Sequence, residues 1–122
     1  MHVLIVEENP ALAEVWAGYL RRSGAQVSIT ACQQDAIAFL QGYGPDIVIL
    51  DLGLRAGSPL AIADYASYRH PQIRIIPVTR DSFFSDGSVF VHVPNTCTVL
   101  APGTPPEDMA AIVAHYGTDG PV

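Results

Sequence analysis

Short apolar runs rich in β-branched residues alternate along this chain with segments of helical periodicity. The runs predict strands over residues 2–6, 26–30, 46–50, 73–78 and 96–100. Pro77 is the unfavourable residue among them, since it cannot donate a ladder hydrogen bond. Because parallel strands need crossover connections, the alternation predicts an α/β fold. We expect a doubly wound, five-stranded parallel sheet with right-handed crossovers and helices on both faces.

Capping residues mark where the helices between these strands begin. Asn9 and Ser58 are suitable N-cap residues, and each is followed by a proline that fits the first helical position. Thr104 is predicted to cap the last helix in the same way. Residues 80–96 lack a convincing helical pattern. The fourth helix of such a fold is therefore expected to be short or replaced by a loop.

Length and composition restrict the class of protein. The 122 residues fit one domain, predicted to span residues 2–116 and to be followed by a C-terminal tail over residues 117–122. The net charge of −6 argues against direct nucleic-acid binding, which favours a basic surface. No apolar run approaches the roughly 20 residues that span a bilayer. A cytoplasmic protein without membrane contact is expected.

Three carboxylates directly follow two of the predicted strands. Glu7 and Glu8 come after the first run and Asp51 after the third. In a doubly wound sheet the ligand site lies beyond the carboxyl ends of the strands, where the strand order reverses, so these acids should converge. Carboxylates brought together repel each other unless a cation lies between them, and oxygen ligands suit Mg²⁺. Thr79, after the fourth run, would offer a hydroxyl to a phosphoryl oxygen.

Three of these motifs resemble those of a known family. IVEENP after the first strand, IVILDLGL around Asp51 and IIPVT at Thr79 are similar to response-regulator receiver domains, over residues 2–116. The resemblance implies that Asp51 is the phosphorylated aspartate and that Thr79 is the switch hydroxyl. The magnesium ligands that it implies are Glu8, Asp51 and the carbonyl of Gly53, with Glu7 acting through water.

The chain also departs from the family's pattern. It contains no lysine, and Ala101, followed by a proline, stands where the family has Lys-Pro. Glu8 replaces the usual aspartate, which moves the carboxylate by about one carbon–carbon bond. Arg80 follows Thr79 where a small residue is usual. One hypothesis is that Arg80 folds over the pocket and supplies the missing positive charge, since its guanidinium suits phosphoryl oxygens. The alternative is a solvated loop arginine.

The residues and the resemblance together predict a stand-alone phosphoacceptor receiver domain in two-component or phosphorelay signalling. A histidine kinase or phosphotransfer protein would donate a phosphoryl group to Asp51, and output would come from contact with a downstream protein target. No enzyme activity is expected beyond self-catalysed phosphorylation and dephosphorylation.

Two other functions are considered. A non-phosphorylated pseudo-receiver would act as a constitutive interaction or dimerisation module. Apolar side chains within residues 80–96, if they do not pack inward, would form its docking or homodimer surface. A flavodoxin-like hydrolase or phosphatase is disfavoured, because the chain lacks a nucleophile elbow, a P-loop and a dinucleotide fingerprint.

Overall fold

The computed structural model describes residues 1–79 and 92–117. Its strands are β1 (His2–Val6), β2 (Gln26–Thr30), β3 (Ile47–Asp51) and β4 (Arg74–Val78). They form a parallel sheet in the order β2-β1-β3-β4, so the strand order reverses between β1 and β3. The predicted doubly wound parallel architecture is confirmed. The expectation of a short or missing fourth helix falls mainly on residues 80–91 and lies outside the described residues.

Helices cover both faces of the sheet. Those that the structure describes are α1 (Pro10–Arg22), α2 (Gln33–Gly42), α3 (Pro59–Arg69) and α4 (Pro106–Gly117). One core cluster joins α1 and α4 to the sheet, and a second joins α2 and α3 to its other face. Successive residues of a strand point to opposite faces, so Ile5 belongs to the first cluster and Leu4 to the second. No helix in this described part is long and apolar enough to cross a membrane.

Two of the three predicted helix caps are confirmed. The Asn9 side chain accepts hydrogen bonds from the N–H groups of Ala11 at 3.0 Å and Leu12 at 3.3 Å. The Ser58 hydroxyl accepts one from the N–H of Ala61 at 3.1 Å. In both helices the next residue is a proline, which has no N–H to leave unpaired in the first turn.

The predicted cap at Thr104 is wrong. Its hydroxyl donates instead to the carbonyl of Ala101 at 2.7 Å, which closes a turn before the helix. The first helical hydrogen bond runs from the N–H of Met109 to the carbonyl of Pro105, and α4 begins at Pro106. Pro105 and Pro106 each suit the first helical position, and the helix begins at Pro106.

Residues 96–100, predicted as the fifth strand, run parallel to β4 but meet it only in two isolated bridges. These bridges join Ile75 to Thr96 and Val78 to Leu100, so three steps along β4 match four steps along the segment. The N–H of Ile75 donates to the carbonyl of Asn95, just before the segment, and the N–H of Thr79 donates to that of Leu100, at 3.0 Å each. Alternate N–H groups point to the same side of a strand, so the nitrogen of Pro77 faces the segment as well. Because the Pro77 nitrogen carries no hydrogen, it cannot donate to the segment, and the hydrogen-bond ladder is interrupted there.

Candidate functional site

The acidic residues meet at the point where the strand order reverses. β1 ends at Val6 and β3 at Asp51, and the two strands are direct neighbours in register. The N–H of Glu7 donates to the carbonyl of Thr30 at 3.0 Å, which continues the sheet pairing one residue beyond β1. Backbone pairing with β2 therefore fixes the position of Glu7 at the edge of the sheet. Glu7 and Asp51 therefore lie at one edge of the sheet, as the strand alternation predicts, whereas the Glu8 side chain turns to the backbone of residues 55 and 56.

Glu7 is a buried carboxylate, with 6% of its surface exposed. Its Oε2 accepts a hydrogen bond from the N–H of Asn9 at 3.0 Å. Burial raises the pKa of the Glu7 carboxyl above its ordinary value, and both the charge of Asp51 and a hydrogen bond between the two side chains raise it further. The N–H groups of Asn9 and Glu8 lower this pKa, but they do not outweigh burial. Sharing a proton or a cation would relieve the repulsion between Glu7 and Asp51.

Asp51 is half-buried at the end of β3, and its side chain bends over the residues that follow it. Its Oδ1 accepts a hydrogen bond from the N–H of Gly53 at 2.8 Å. A Cβ atom at position 53 would lie 3.2 Å from that same oxygen, so glycine permits the close approach. The N–H of Leu52 donates to the carbonyl of Val78 at 2.9 Å, which holds the start of the loop against the sheet.

Glu8 faces the loop of residues 52–58 between β3 and α3, here named the β3–α3 loop. Its Oε1 accepts hydrogen bonds from the N–H groups of Arg55 and Ala56, the second at 2.8 Å. Gln33 fastens the same loop from the start of α2. Its N–H donates to the carbonyl of Ala56 at 2.8 Å, and its Oε1 accepts from the N–H of Ser58 at 2.7 Å.

Thr79 and Ala101 lie at the ends of neighbouring extended segments. The N–H of Thr79 donates to the carbonyl of Leu100 at 3.0 Å, so residue 101 follows directly beside it. Ala101 is exposed, and its carbonyl accepts from the hydroxyl and the N–H of Thr104. Arg80, the predicted source of positive charge, lies outside the described residues.

The predicted magnesium ligands differ in how free their oxygen atoms are to bind a cation. The charge of Asp51 helps to raise the pKa of Glu7, and a cation beside two such carboxylates would relieve their repulsion. One oxygen of Glu8 already accepts two loop N–H groups. Within residues 1–79 and 92–117, no three His, Cys, Asp or Glu side chains are grouped so that they could hold a metal ion.

Comparison with known families places this arrangement in a class. The family model described as the response regulator receiver domain matches residues 3–89. The chain therefore belongs to the response regulator receiver family. Membership agrees with the strand order, with the acidic residues at the strand-order reversal and with the position of Asp51 at the end of β3.

Regulators from Vibrio are among the curated relatives. The luminescence regulatory protein LuxO of Vibrio campbellii is 29% identical over 75 residues, which is 62% of this chain and 17% of LuxO. The regulatory protein LuxO of Vibrio vulnificus matches to the same extent. The matched region is thus a small part of these relatives.

Solved receiver domains share the fold over nearly the whole chain. The signal receiver domain of a putative LuxO repressor protein from Vibrio parahaemolyticus superposes with a TM-score of 0.83 at 23% identity, covering 95% of this chain and 88% of that one. The receiver domain of a sensor histidine kinase from Pseudomonas aeruginosa, with a magnesium ion coordinated in its active-site cleft, superposes with a TM-score of 0.81 at 19% identity, covering 95% and 96%.

Sequence reasoning missed the residues that fasten the β3–α3 loop. Gln33 was assigned no role, and Glu8 was predicted to be a magnesium ligand. Gly57, with φ of +120°, was the available signal, because a Cβ atom there would overlap the side chain of Gln33. The signal marks a close approach but does not identify the partner.

Proposed function

We propose that this chain is a phosphoacceptor receiver domain and that Asp51 is its acceptor. The observation that carries the proposal is the position of Asp51 at the end of β3, beside the buried Glu7 that follows the neighbouring strand β1. An Asp51 oxygen attacks the phosphorus of a phosphohistidine. The phosphorus–nitrogen bond breaks, its electron pair stays on the imidazole, and an aspartyl phosphate results.

The surrounding residues receive supporting roles. The resemblance implies Glu7, Glu8, Asp51 and the carbonyl of Gly53 as ligands of Mg²⁺. Of these, Glu7, Asp51 and the Gly53 carbonyl are the proposed ligands, because Glu8 Oε1 already accepts two loop N–H groups. A magnesium ion bound there would neutralise charge on the phosphoryl oxygens. Thr79 would hydrogen-bond a phosphoryl oxygen once Asp51 is modified.

Because the chain has no lysine, another residue must supply positive charge to the phosphoryl group. Ala101 stands at the position where the family has that lysine, and a methyl side chain cannot replace it. Arg80, one residue after Thr79, is the proposed phosphate contact, because a guanidinium can form two parallel hydrogen bonds with phosphoryl oxygens.

The proposed donor is a histidine kinase or a phosphotransfer protein in the cytoplasm. The proposed output is contact with a downstream protein target or with a second copy of this chain. Support comes from family membership and from the acidic net charge of −6, which suits a basic protein surface better than a nucleic acid.

The acceptor is tested by intact mass spectrometry. Wild-type protein is incubated with Mg²⁺ and acetyl phosphate, with Asp51→Asn as the matched control. We expect one phosphoryl adduct on wild type and none on the variant, because the amide cannot form an acyl phosphate. An adduct of equal yield on Asp51→Asn would contradict the assignment to Asp51.

The second candidate function is a pseudo-receiver that signals without phosphorylation. The complete absence of lysine favours it, since a charge-assisted hydrogen bond to phosphate contributes about 1.5–3 kcal/mol. Failure of wild type to gain a phosphoryl group from both acetyl phosphate and a phosphorylated histidine-kinase domain would select this alternative.

A further inference from the structure

Glu8 makes a contact that its predicted role as a magnesium ligand does not explain. Its Oε1 accepts the N–H groups of both Arg55 and Ala56, 47 and 48 positions further along the chain. Two backbone donors converging on one carboxylate oxygen give a charge-assisted pair of hydrogen bonds, which are stronger than neutral ones. The contact joins the residue after Glu7 to the loop after Asp51.

The position of the β3–α3 loop explains why this contact matters for the acceptor site. Asp51 Oδ1 accepts the N–H of Gly53, and Glu8 holds the N–H groups two and three residues further on. Between these anchored groups, the loop cannot move without breaking hydrogen bonds at both ends. Glu8 therefore holds the middle of the loop, between the Gly53 N–H bound by Asp51 and the Ser58 N–H bound by Gln33.

The length of the side chain fits this role. An aspartate at position 8 would place its carboxylate about 1.5 Å closer to the backbone, one carbon–carbon bond short of the present position. The Ala56 hydrogen bond of 2.8 Å would then exceed the hydrogen-bond range. The extra methylene of glutamate, relative to the aspartate usual in the family, is what allows the loop to be reached.

We infer that Glu8 is a positioning residue that holds the β3–α3 loop through the Arg55 and Ala56 N–H groups, and that a divalent cation at this site depends on Glu7 and Asp51 and not on Glu8. The inference rests on the proposed function for the identity of Asp51 as the acceptor.

Three substitutions at position 8 separate a positioning role from a metal-ligand role. Glu8→Gln keeps an acceptor oxygen at the same reach and removes the charge. Glu8→Asp keeps the charge and shortens the reach, and Glu8→Ala removes both. A positioning residue is replaced best by glutamine, whereas a magnesium ligand is replaced best by aspartate.

The first measurement is amide hydrogen exchange by NMR on the metal-free proteins. We expect the Arg55 and Ala56 amides of Glu8→Gln to exchange within about threefold of wild type. In Glu8→Asp and Glu8→Ala they should exchange at least about tenfold faster, a factor that corresponds to about 1.4 kcal/mol. Fast exchange in Glu8→Gln, or unchanged exchange in Glu8→Ala, would overturn the loop-positioning role.

The second measurement is the dissociation constant for Mg²⁺, determined by calorimetric titration with no phosphodonor present. We expect Glu8→Gln to bind Mg²⁺ within about threefold of wild type, and Asp51→Asn to bind at least about tenfold more weakly, since only the second removes a ligand charge. Equal weakening in the two variants would assign Glu8 to the metal. Neither measurement needs phosphorylation, so a failed adduct experiment leaves this inference standing.

Discussion

His2 is a single residue whose charge state is set by its surroundings. Its Nε2 lies 2.8 Å from the Ser28 hydroxyl, and the ring packs 4.6 Å from that of Tyr43, centre to centre. Its Nδ1 is buried and has no hydrogen-bond partner among the described residues. Burial lowers the pKa of His2 below the ordinary value of 6.5, and nearby Asp46 only partly offsets this.

Acidification should therefore destabilise the protein through His2. A histidine with a depressed folded-state pKa binds fewer protons than it does in the unfolded chain, so its contribution is complete above pH 6.5 and is lost as pH falls through the folded pKa. Between about pH 7.5 and pH 5.5, we expect the free energy of unfolding in urea to fall more for wild type than for His2→Phe, whose ring cannot titrate. Parallel pH profiles would show that His2 does not contribute.

Glu8 shows at the same scale what sequence could and could not predict about the site. That Glu7, Glu8 and Asp51 lie at one edge of the sheet follows from strand order alone, because parallel strands deliver their ends to the same edge. The hydrogen-bond partner of each carboxylate depends on the direction of its side chain and on the conformation of the nearby loop. The bond from Glu8 to Ala56 joins residues 48 positions apart, and no local pattern encodes it.

At the scale of elements, Asn95 attaches the irregular segment of residues 96–100 to the rest of the fold. Its backbone has a φ of 60°, and its side-chain amide donates to the carbonyls of Ile73 at 2.9 Å and Pro71 at 3.2 Å. Its own carbonyl accepts the N–H of Ile75 at 3.0 Å. Asparagine suits this position because it tolerates the left-handed conformation and supplies two donors.

Substitutions at position 95 should separate the two contributions of Asn95. We expect Asn95→Gly to lose about 1 kcal/mol of unfolding free energy, because glycine keeps the left-handed backbone but loses the side-chain bonds. Asn95→Ala should lose about 2 kcal/mol or more, because it loses both. Urea denaturation measures the difference, and an alanine variant as stable as the glycine variant would contradict the role of backbone conformation.

Elements were predicted well where their signal is local. The caps at Asn9 and Ser58 are chemistry between residues two or three positions apart, so the sequence displays them. Which residues of a helix are buried is less visible in the sequence: in α1, Val15 is 46% exposed while Ala13 and Ala17 are fully buried. Small residues mark the buried stripe where a helix packs closely on a sheet, and counting large side chains overlooks them.

At the scale of the whole molecule, the two core clusters share strands β1, β3 and β4. Ile5 and Ile49 face the α1 and α4 side, whereas Leu4 and Val48 face the α2 and α3 side, and all four are fully buried. If the helices on one face unfolded, they would expose strands whose other side chains form the second cluster. The sheet should therefore make the two faces unfold together.

Trp16 offers a direct test of this cooperativity, since it is the only tryptophan and lies in the α1 and α4 cluster. Leu40→Ala removes a fully buried side chain from the opposite cluster and should cost about 2–5 kcal/mol. We expect the urea midpoint followed by Trp16 fluorescence to fall by as much as the midpoint followed by circular dichroism. Tyr68→Ala, at a side chain that is 82% exposed, should leave both midpoints unchanged. A Trp16 transition that stays at the wild-type midpoint in Leu40→Ala would show that the faces unfold separately, and the sheet would then not couple the α2 and α3 side to the α1 and α4 side.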